Sequence, residues 1–211
     1  PISRSHLGFR LRAIARQGRA WAYQGPTGRV LAALPSLVRV QHPDRVPTRS
    51  RLTEWCAGFG SHLGLATDDR LALTHAAALH DLGEHGVPDD LIIGARTLSH
   101  DDRAILFRHA EASAAVVEPL DGAVALTAIL RCHHERCDGR GSPDGLHDDQ
   151  IPRLARVFRV LDVHDALLRT RPDQLDAPRA ATAAQVRTDS ARAGLDPALA
   201  SAFRAWLALA G

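Results

Sequence analysis

Two adjacent histidines, His133 and His134, begin the segment HHERCDGRGSP, in which glycines and a proline follow at close intervals. Upstream, His80 and Asp81 lie at the end of an apolar helical run, and Asp162 lies inside a later one. Neutral imidazoles and carboxylates together form a mixed nitrogen and oxygen ligand set, which suits iron, manganese or zinc. Side chains of this kind, placed near the ends or inner faces of several helices, predict a metal site in a helical bundle.

The number of these side chains bears on the number of metal ions. His109 adds an imidazole from a separate segment and brings the set to six. Six ligands exceed the four that a tetrahedral zinc ion takes, and they suit two ions about 3.5–4 Å apart that share a bridging carboxylate. Such a pair activates water and holds a phosphoryl oxygen, as phosphodiester hydrolysis requires. Each His pair alone is a weak signal, because the helix dipole also favours histidine at helix carboxyl ends.

The elements that must position these residues are predicted to be helices, because apolar residues recur at helical spacing and no alternating strand pattern occurs. Residues 25–28 (GPTG) are expected to separate the first two helices. Ser99 and Asp102 are expected to form a capping box at the start of a later helix. Residues 135–150 are expected to form a loop. Residues 1–45 are interpreted as a helical lead or linker and residues 46–211 as the metal-carrying domain. The predicted helices cover residues 7–23, 30–40, 49–65, 67–80, 88–93, 99–116, 121–133, 152–168 and 196–209, with another beginning at Asp176.

The amino-acid composition limits which partners and which cell compartment are expected. The 26 basic residues are all arginine and face 24 acidic residues, so the net charge is only +2 and no DNA partner is expected. No apolar run reaches the roughly 18 residues of a membrane span. The cysteines, Cys56, Cys132 and Cys137, have no disulfide spacing, which favours a cytoplasmic protein. Two of them flank the adjacent histidines, but no second ligand pair follows at zinc-knuckle spacing.

The order and spacing of these motifs resemble the HD-GYP family over about residues 42–205. The matching segments are, in chain order, HDLG (80–83), GVPD (86–89), His109, HHE (133–135), DG (138–139), GSP (141–143), GL (145–146), IP (151–152), ARV (155–157), Asp162, DAL (165–167) and RP (171–172). Members of this family are bacterial HD-superfamily phosphodiesterases that cleave cyclic di-GMP to the linear dinucleotide or to GMP. The resemblance implies an all-α fold, an HD-type helical bundle around a buried metal centre.

The resemblance also implies roles for individual residues. Arg171 stands where the family places a contact to the substrate phosphate. Two divalent ions are expected as cofactors, iron or manganese, with zinc as an alternative. The expected partners are a cyclic dinucleotide substrate and a GGDEF-type or receiver-domain protein. Six residues are implied as metal ligands, with Asp81 as the bridging and catalytic one: His80, Asp81, His109, His133, His134 and Asp162.

Four positions depart from the family pattern. Glu84 replaces a lysine, Gln174 replaces a second basic residue, and Ser142 replaces the tyrosine of Gly-Tyr-Pro. Thr48 stands where a histidine is usual, although Asp44, four residues earlier, offers a carboxylate. These departures leave open a metal-dependent phosphodiesterase, a degenerate HD-GYP module that binds a nucleotide or a partner protein without turnover, and a hydrolase of another phosphoester.

Overall fold

The computed structural model describes residues 25–41, 46–92, 99–169 and 193–209. Within these ranges the secondary structure is helical, and extended backbone pairs only in one isolated bridge between Asp138 and His147. The predicted all-α fold is confirmed. In the same ranges, no helix is both long and apolar enough to cross a membrane. The helices predicted at residues 7–23 and from Asp176 lie outside the described residues, as do Asp44, Arg171 and Gln174.

The described chain folds into α-helices with two short 3-10 helices between them, Leu82–Gly86 and Asp148–Gln150. The boundaries of α4 and α9 lie close to the predicted ones. The loop predicted at residues 135–150 lies between the end of α7 and the start of α8, and its last three residues form the second 3-10 helix. The α-helices, in chain order, are α1 Gly25–Ala33, α2 Pro35–Gln41, α3 Val46–His62, α4 Thr67–Leu79, α5 Asp89–Ile92, α6 His100–Val117, α7 Val124–Cys132, α8 Arg153–Arg169 and α9 Pro197–Leu209.

The start of the described chain differs from the prediction. The predicted break at residues 25–28 is instead the first turn of α1. Pro26 is tolerated there because the first turn of a helix has no partner for its N–H groups. The break comes before Pro35, which has no N–H to donate to Leu31. Leu31 and Val38 are both fully buried in the main core, while the division at residue 45 stays a prediction.

The core lies between α3, α4, α7 and α8, which pack against one another through aliphatic side chains. Aromatic side chains are concentrated where α9 closes the bundle against α3. The rings of Trp55 and Phe203 both pack against the buried ring of His164, and the centroid of each lies 5.3 Å from that of His164. His164 is therefore a packed side chain of the bundle.

The first turn of α6 is fixed by the predicted capping box, which the structure confirms. The Oγ of Ser99 accepts a hydrogen bond from the backbone N–H of Asp102 at 3.1 Å, and the carboxylate of Asp102 accepts one from the N–H of Ser99 at 2.9 Å. Two otherwise unpaired N–H groups are thereby satisfied. This cap sets the start of the helix that carries His109.

Candidate metal centre

The predicted ligands lie in one region, where α4, α6, α7 and α8 meet. Two of them follow the last residue of α4, one lies midway along α6, two follow the last residue of α7, and one lies on α8. Five are buried, with 8% of their surface exposed or less, and the sixth is half-buried. In chain order they are His80, Asp81, His109, His133, His134 and Asp162.

Three imidazoles form the tightest part of this region. The Nε2 atom of His109 lies 3.3 Å from the Nε2 of His133 and 3.1 Å from the Nε2 of His134. One nitrogen from each ring can be chosen so that all three lie within 4.8 Å of one another. Two nitrogens that each lie about 2.1 Å from one metal ion are about 3.0 Å apart at a right angle and about 3.4 Å apart at the tetrahedral angle. The observed spacings therefore fit ligands of a shared ion.

Backbone contacts determine which ring nitrogen is available. The Nδ1 of His109 lies 2.6 Å from the carbonyl oxygen of Leu106, and the Nδ1 of His133 lies 2.7 Å from that of Leu130. A carbonyl oxygen can only accept a hydrogen bond, so each Nδ1 carries the proton and donates it. In the neutral rings, each Nε2 then presents a lone pair to the other. Two lone pairs at 3.3 Å repel, and a cation between them removes that repulsion.

The electrostatic environment keeps two of the rings neutral. Burial lowers the pKa of His133 well below its ordinary value, and the neighbouring His109 and His80 lower it further. Burial also lowers the pKa of His134 well below its ordinary value, with the nearby His133 and His109 adding to the effect. Neutral imidazole is the form that binds metal. The cluster therefore has the donor atoms and the spacing that a divalent ion requires, and His133 and His134 also have the required protonation state.

The two carboxylates lie beside the remaining imidazole. The Nε2 of His80 is 3.2 Å from an oxygen of Asp81 and 3.7 Å from an oxygen of Asp162. Its Nδ1 lies 3.2 Å from the carbonyl oxygen of Ala77, which again assigns the ring proton to Nδ1. The ring of His80 is 5.8 Å from that of His133, measured between centroids. The carboxylate group and the histidine group are thus neighbours.

Comparison with known proteins identifies the family. The HD domain family matches residues 33–199, which is most of the chain. The chain belongs to the HD domain family. It is similar to the cyclic di-GMP phosphodiesterase response regulator RpfG of Xanthomonas campestris, with 39% identity over 58% of this chain and 33% of the relative. It is also similar to the 3′3′-cGAMP-specific phosphodiesterase 3 of Vibrio cholerae, with 26% identity over 71% of this chain and 32% of the relative.

A solved structure has the same fold. Bd1817, an HDG"Y"P protein from Bdellovibrio bacteriovorus, superimposes with a TM-score of 0.56 at 22% identity, over 78% of this chain and 52% of its own. The chain spans about a third of the length of the two relatives described above. These matches confirm the resemblance to HD-GYP proteins that the motif order indicated.

In this HD domain, a buried acid holds the glycine-rich loop against the histidine pair. Glu135 is fully buried, and its carboxylate accepts hydrogen bonds from the backbone N–H of Asp144 at 2.6 Å and of Leu146 at 3.0 Å. The N–H of Ser142 donates to the carbonyl oxygen of His134 at 3.3 Å. The loop therefore returns to the histidine pair. The sequence contained a signal for this role, the acid directly after His133-His134, although it was not assigned a function.

Arg159 is a second residue that the sequence analysis missed. It lies one turn before Asp162 on α8, and its guanidinium donates to the carbonyl oxygens of His133 at 3.1 Å and Ala193 at 3.0 Å. Burial lowers the pKa of Arg159, and its positive charge contributes to the lowered pKa of His134. The guanidinium thus fixes the backbone of the histidine turn. Its spacing from Asp162 was the one available signal, because residues three apart share a helix face.

Two of the residues that depart from the family pattern, Glu84 and Ser142, have side chains that the structure describes. Glu84 lies in the 3-10 helix that follows Asp81, is only 6% exposed, and its N–H donates to the carbonyl oxygen of Asp81 at 3.0 Å. A carboxyl group is therefore buried three residues after a predicted ligand. Ser142 is half-buried in the loop. The side chain of Thr48 belongs to the part of the chain for which no side-chain position is described.

Proposed function

We propose that this HD domain is a metal-dependent phosphodiesterase that hydrolyses cyclic di-GMP, or a related cyclic dinucleotide, to the linear dinucleotide or GMP. The observation that carries the proposal is the convergence of three imidazole Nε2 atoms beside an imidazole and two carboxylates. The substrate class is supported by similarity to proteins named as cyclic di-GMP and 3′3′-cGAMP phosphodiesterases.

The proposed cofactors are two divalent ions, iron or manganese, with zinc as an alternative. When bound, such ions activate water and stabilise charge on the phosphoryl oxygens. Asp81 is the proposed bridging and catalytic carboxylate, as the resemblance to the HD-GYP family implies, and its oxygen lies 3.2 Å from the Nε2 of His80. Arg171 is proposed to contact a substrate phosphate. The proposed ligands are His80, Asp81, His109, His133, His134 and Asp162.

The chain itself prepares the site in three ways. Hydrogen bonds from Nδ1 to backbone carbonyls orient the imidazoles of His80, His109 and His133, so that each Nε2 is available. The lowered pKa values of His133 and His134 keep protons from competing for those nitrogens near neutral pH. Burial around the ligands excludes bulk water and strengthens their electrostatic contact with phosphate.

The metal content tests the first half of the proposal. Protein prepared anaerobically with iron or manganese is expected to hold more than one ion per chain by elemental analysis. A double variant, His133→Ala with Asp162→Ala, removes one proposed ligand from each neighbouring group and should lose most of that metal. Wild-type metal content in the double variant would contradict the ligand assignment.

Product analysis tests the second half. Manganese-loaded protein should convert cyclic di-GMP or 3′3′-cGAMP to linear products resolved by chromatography, and a chelator should stop the reaction. Measuring both substrates in parallel assigns the preference between them.

We also propose that the protein is cytoplasmic and that its partner is a GGDEF-type or receiver-domain protein. The name of one relative, a response regulator, supports the receiver domain.

One observation favours a second function, a module that binds the nucleotide without turnover. Glu84, which replaces a family lysine, places a buried carboxylate close in sequence to Asp81. A negative charge near the phosphate would weaken the stabilisation of the transition state. Saturable binding of cyclic di-GMP without any linear product, in protein shown to hold metal, would establish this alternative over hydrolysis.

A further inference from the structure

One buried hydroxyl joins two segments that carry three of the proposed metal ligands. Ser113 is fully buried on α6, and its Oγ donates to the carbonyl oxygen of His80 at 2.9 Å and accepts from the N–H of Gly83 at 2.8 Å. Ser113 lies four residues after His109, and residues four apart share one face of a helix. The hydroxyl therefore connects α6 directly to the turn that contains His80 and Asp81.

The position of this hydroxyl follows from the end of α4. The last carbonyl groups of a helix have no partner within it, and here the oxygen of His80 is satisfied by Ser113. The N–H of Gly83, at the start of the following 3-10 helix, is satisfied by the same Oγ. The hydroxyl of Ser113 thus satisfies both the carbonyl oxygen of His80 and the N–H of Gly83. Leaving these two groups buried without partners would destabilise the folded state.

The two segments also touch through their backbones. A Cβ atom added at Gly83 would lie 2.2 Å from the carbonyl oxygen of His109 and 2.9 Å from the backbone nitrogen of Ser113. The turn therefore lies against α6 without an intervening side chain. At this distance, a change in the hydroxyl contact shifts the backbone of His109 relative to that of His80.

We infer that Ser113 is a positioning residue for the metal centre: its hydroxyl sets the separation between the His80-Asp81 turn and His109, and through it the affinity for divalent ions. The inference rests on the proposed function in one respect, namely that these residues bind metal. Metal–ligand distances tolerate changes of only about 0.2 Å. Loss of a group that orients metal ligands typically weakens metal binding by about 10–100-fold.

The test measures Mn²⁺ affinity by titration for the folded wild type and for Ser113→Ala. The alanine variant should keep the helical circular dichroism spectrum and bind Mn²⁺ about 10–100-fold more weakly. Ser113→Cys keeps a side chain of similar shape with a weak donor and acceptor, and it should bind with intermediate affinity. The control is Leu207→Val, which trims a buried side chain on α9. It should lower the Tm and leave Mn²⁺ affinity unchanged.

The outcomes separate this inference from the proposed function. Wild-type Mn²⁺ affinity in folded Ser113→Ala overturns the positioning role, and so does an equal loss of affinity in the Leu207→Val control. If the wild type binds Mn²⁺ and Ser113→Ala weakens it, the positioning role stands, even where the wild type fails to cleave cyclic di-GMP. A wild type that binds no Mn²⁺ overturns both proposals.

Discussion

A single methyl group at Gly83 would test the packing that brings the proposed ligands together. In Gly83→Ala, the new Cβ would lie 2.2 Å from the carbonyl oxygen of His109, 2.8 Å from the Cβ of Ala112 and 2.9 Å from the nitrogen of Ser113. Two of these three atoms belong to the backbone of α6 and cannot move aside by a side-chain rotation. The turn and the helix must therefore separate.

The size of the effect follows from the cost of overpacking. Forcing extra atoms into a packed interior costs about 1–3 kcal/mol, and contact with backbone places Gly83→Ala near the upper value. In a domain of about 200 residues, each kcal/mol lowers the Tm by about 2–4 °C, so a loss of about 3 kcal/mol predicts a fall of about 6–12 °C. Mn²⁺ affinity should fall as well, because the displacement separates His109 from His80.

Gly86 provides a matched control on the same 3-10 helix. A Cβ at Gly86 would meet no atom within 4 Å, so Gly86→Ala should leave the Tm unchanged or slightly higher. Thermal unfolding followed by circular dichroism compares the two variants directly. Equal Tm values for Gly83→Ala and Gly86→Ala would refute the packing argument.

Three further predictions concern other buried groups. Burial lowers the pKa of His75 to about 4. Unfolded histidine titrates near 6.5 and so binds protons first, which means that stability should fall as the pH drops from about 6.5 toward 4, by up to about 3 kcal/mol. Urea unfolding across this range should show a weaker pH dependence in His75→Gln, and an identical dependence would contradict the assignment. Glu135→Gln leaves one oxygen for two N–H groups, so the loop should loosen and trypsin should cut faster at the exposed Arg140; unchanged cleavage would count against this role for Glu135. Glu84→Gln replaces a buried carboxyl group with a neutral amide, and a gain of about 1 kcal/mol predicts roughly fivefold tighter binding of cyclic di-GMP. A loss of metal in this variant would instead identify Glu84 as a ligand.

The helical fold was predictable because its signals are local. Apolar spacing and caps act within a few residues, as the Ser99 and Asp102 capping box shows. The grouping of the six predicted ligands was indicated by the order and spacing of their motifs, and their roles as ligands stay predictions. The first turn of α1 was missed because the glycines and the proline of residues 25–28 suit both a loop and a helix start.

The residues that support the site could not be found in the same way. Ser113 contacts residues 30 and 33 positions away, and Arg159 contacts a carbonyl 26 positions away. In the sequence, Ser113 is one small residue among alanines, and no periodicity or cap distinguishes it. Such contacts depend on how the helices pack, and the packing is visible only in the assembled fold.

We propose above all that this HD domain cleaves a cyclic dinucleotide with metal held at the histidine and carboxylate cluster. The most direct measurement is the amount of linear dinucleotide or GMP formed from cyclic di-GMP and 3′3′-cGAMP by protein whose metal content is determined in the same sample. Manganese- or iron-loaded wild type should form product, and no product should form after chelation or from His109→Ala. Metal-loaded wild type that leaves both substrates intact, or equal turnover by His109→Ala, would contradict it.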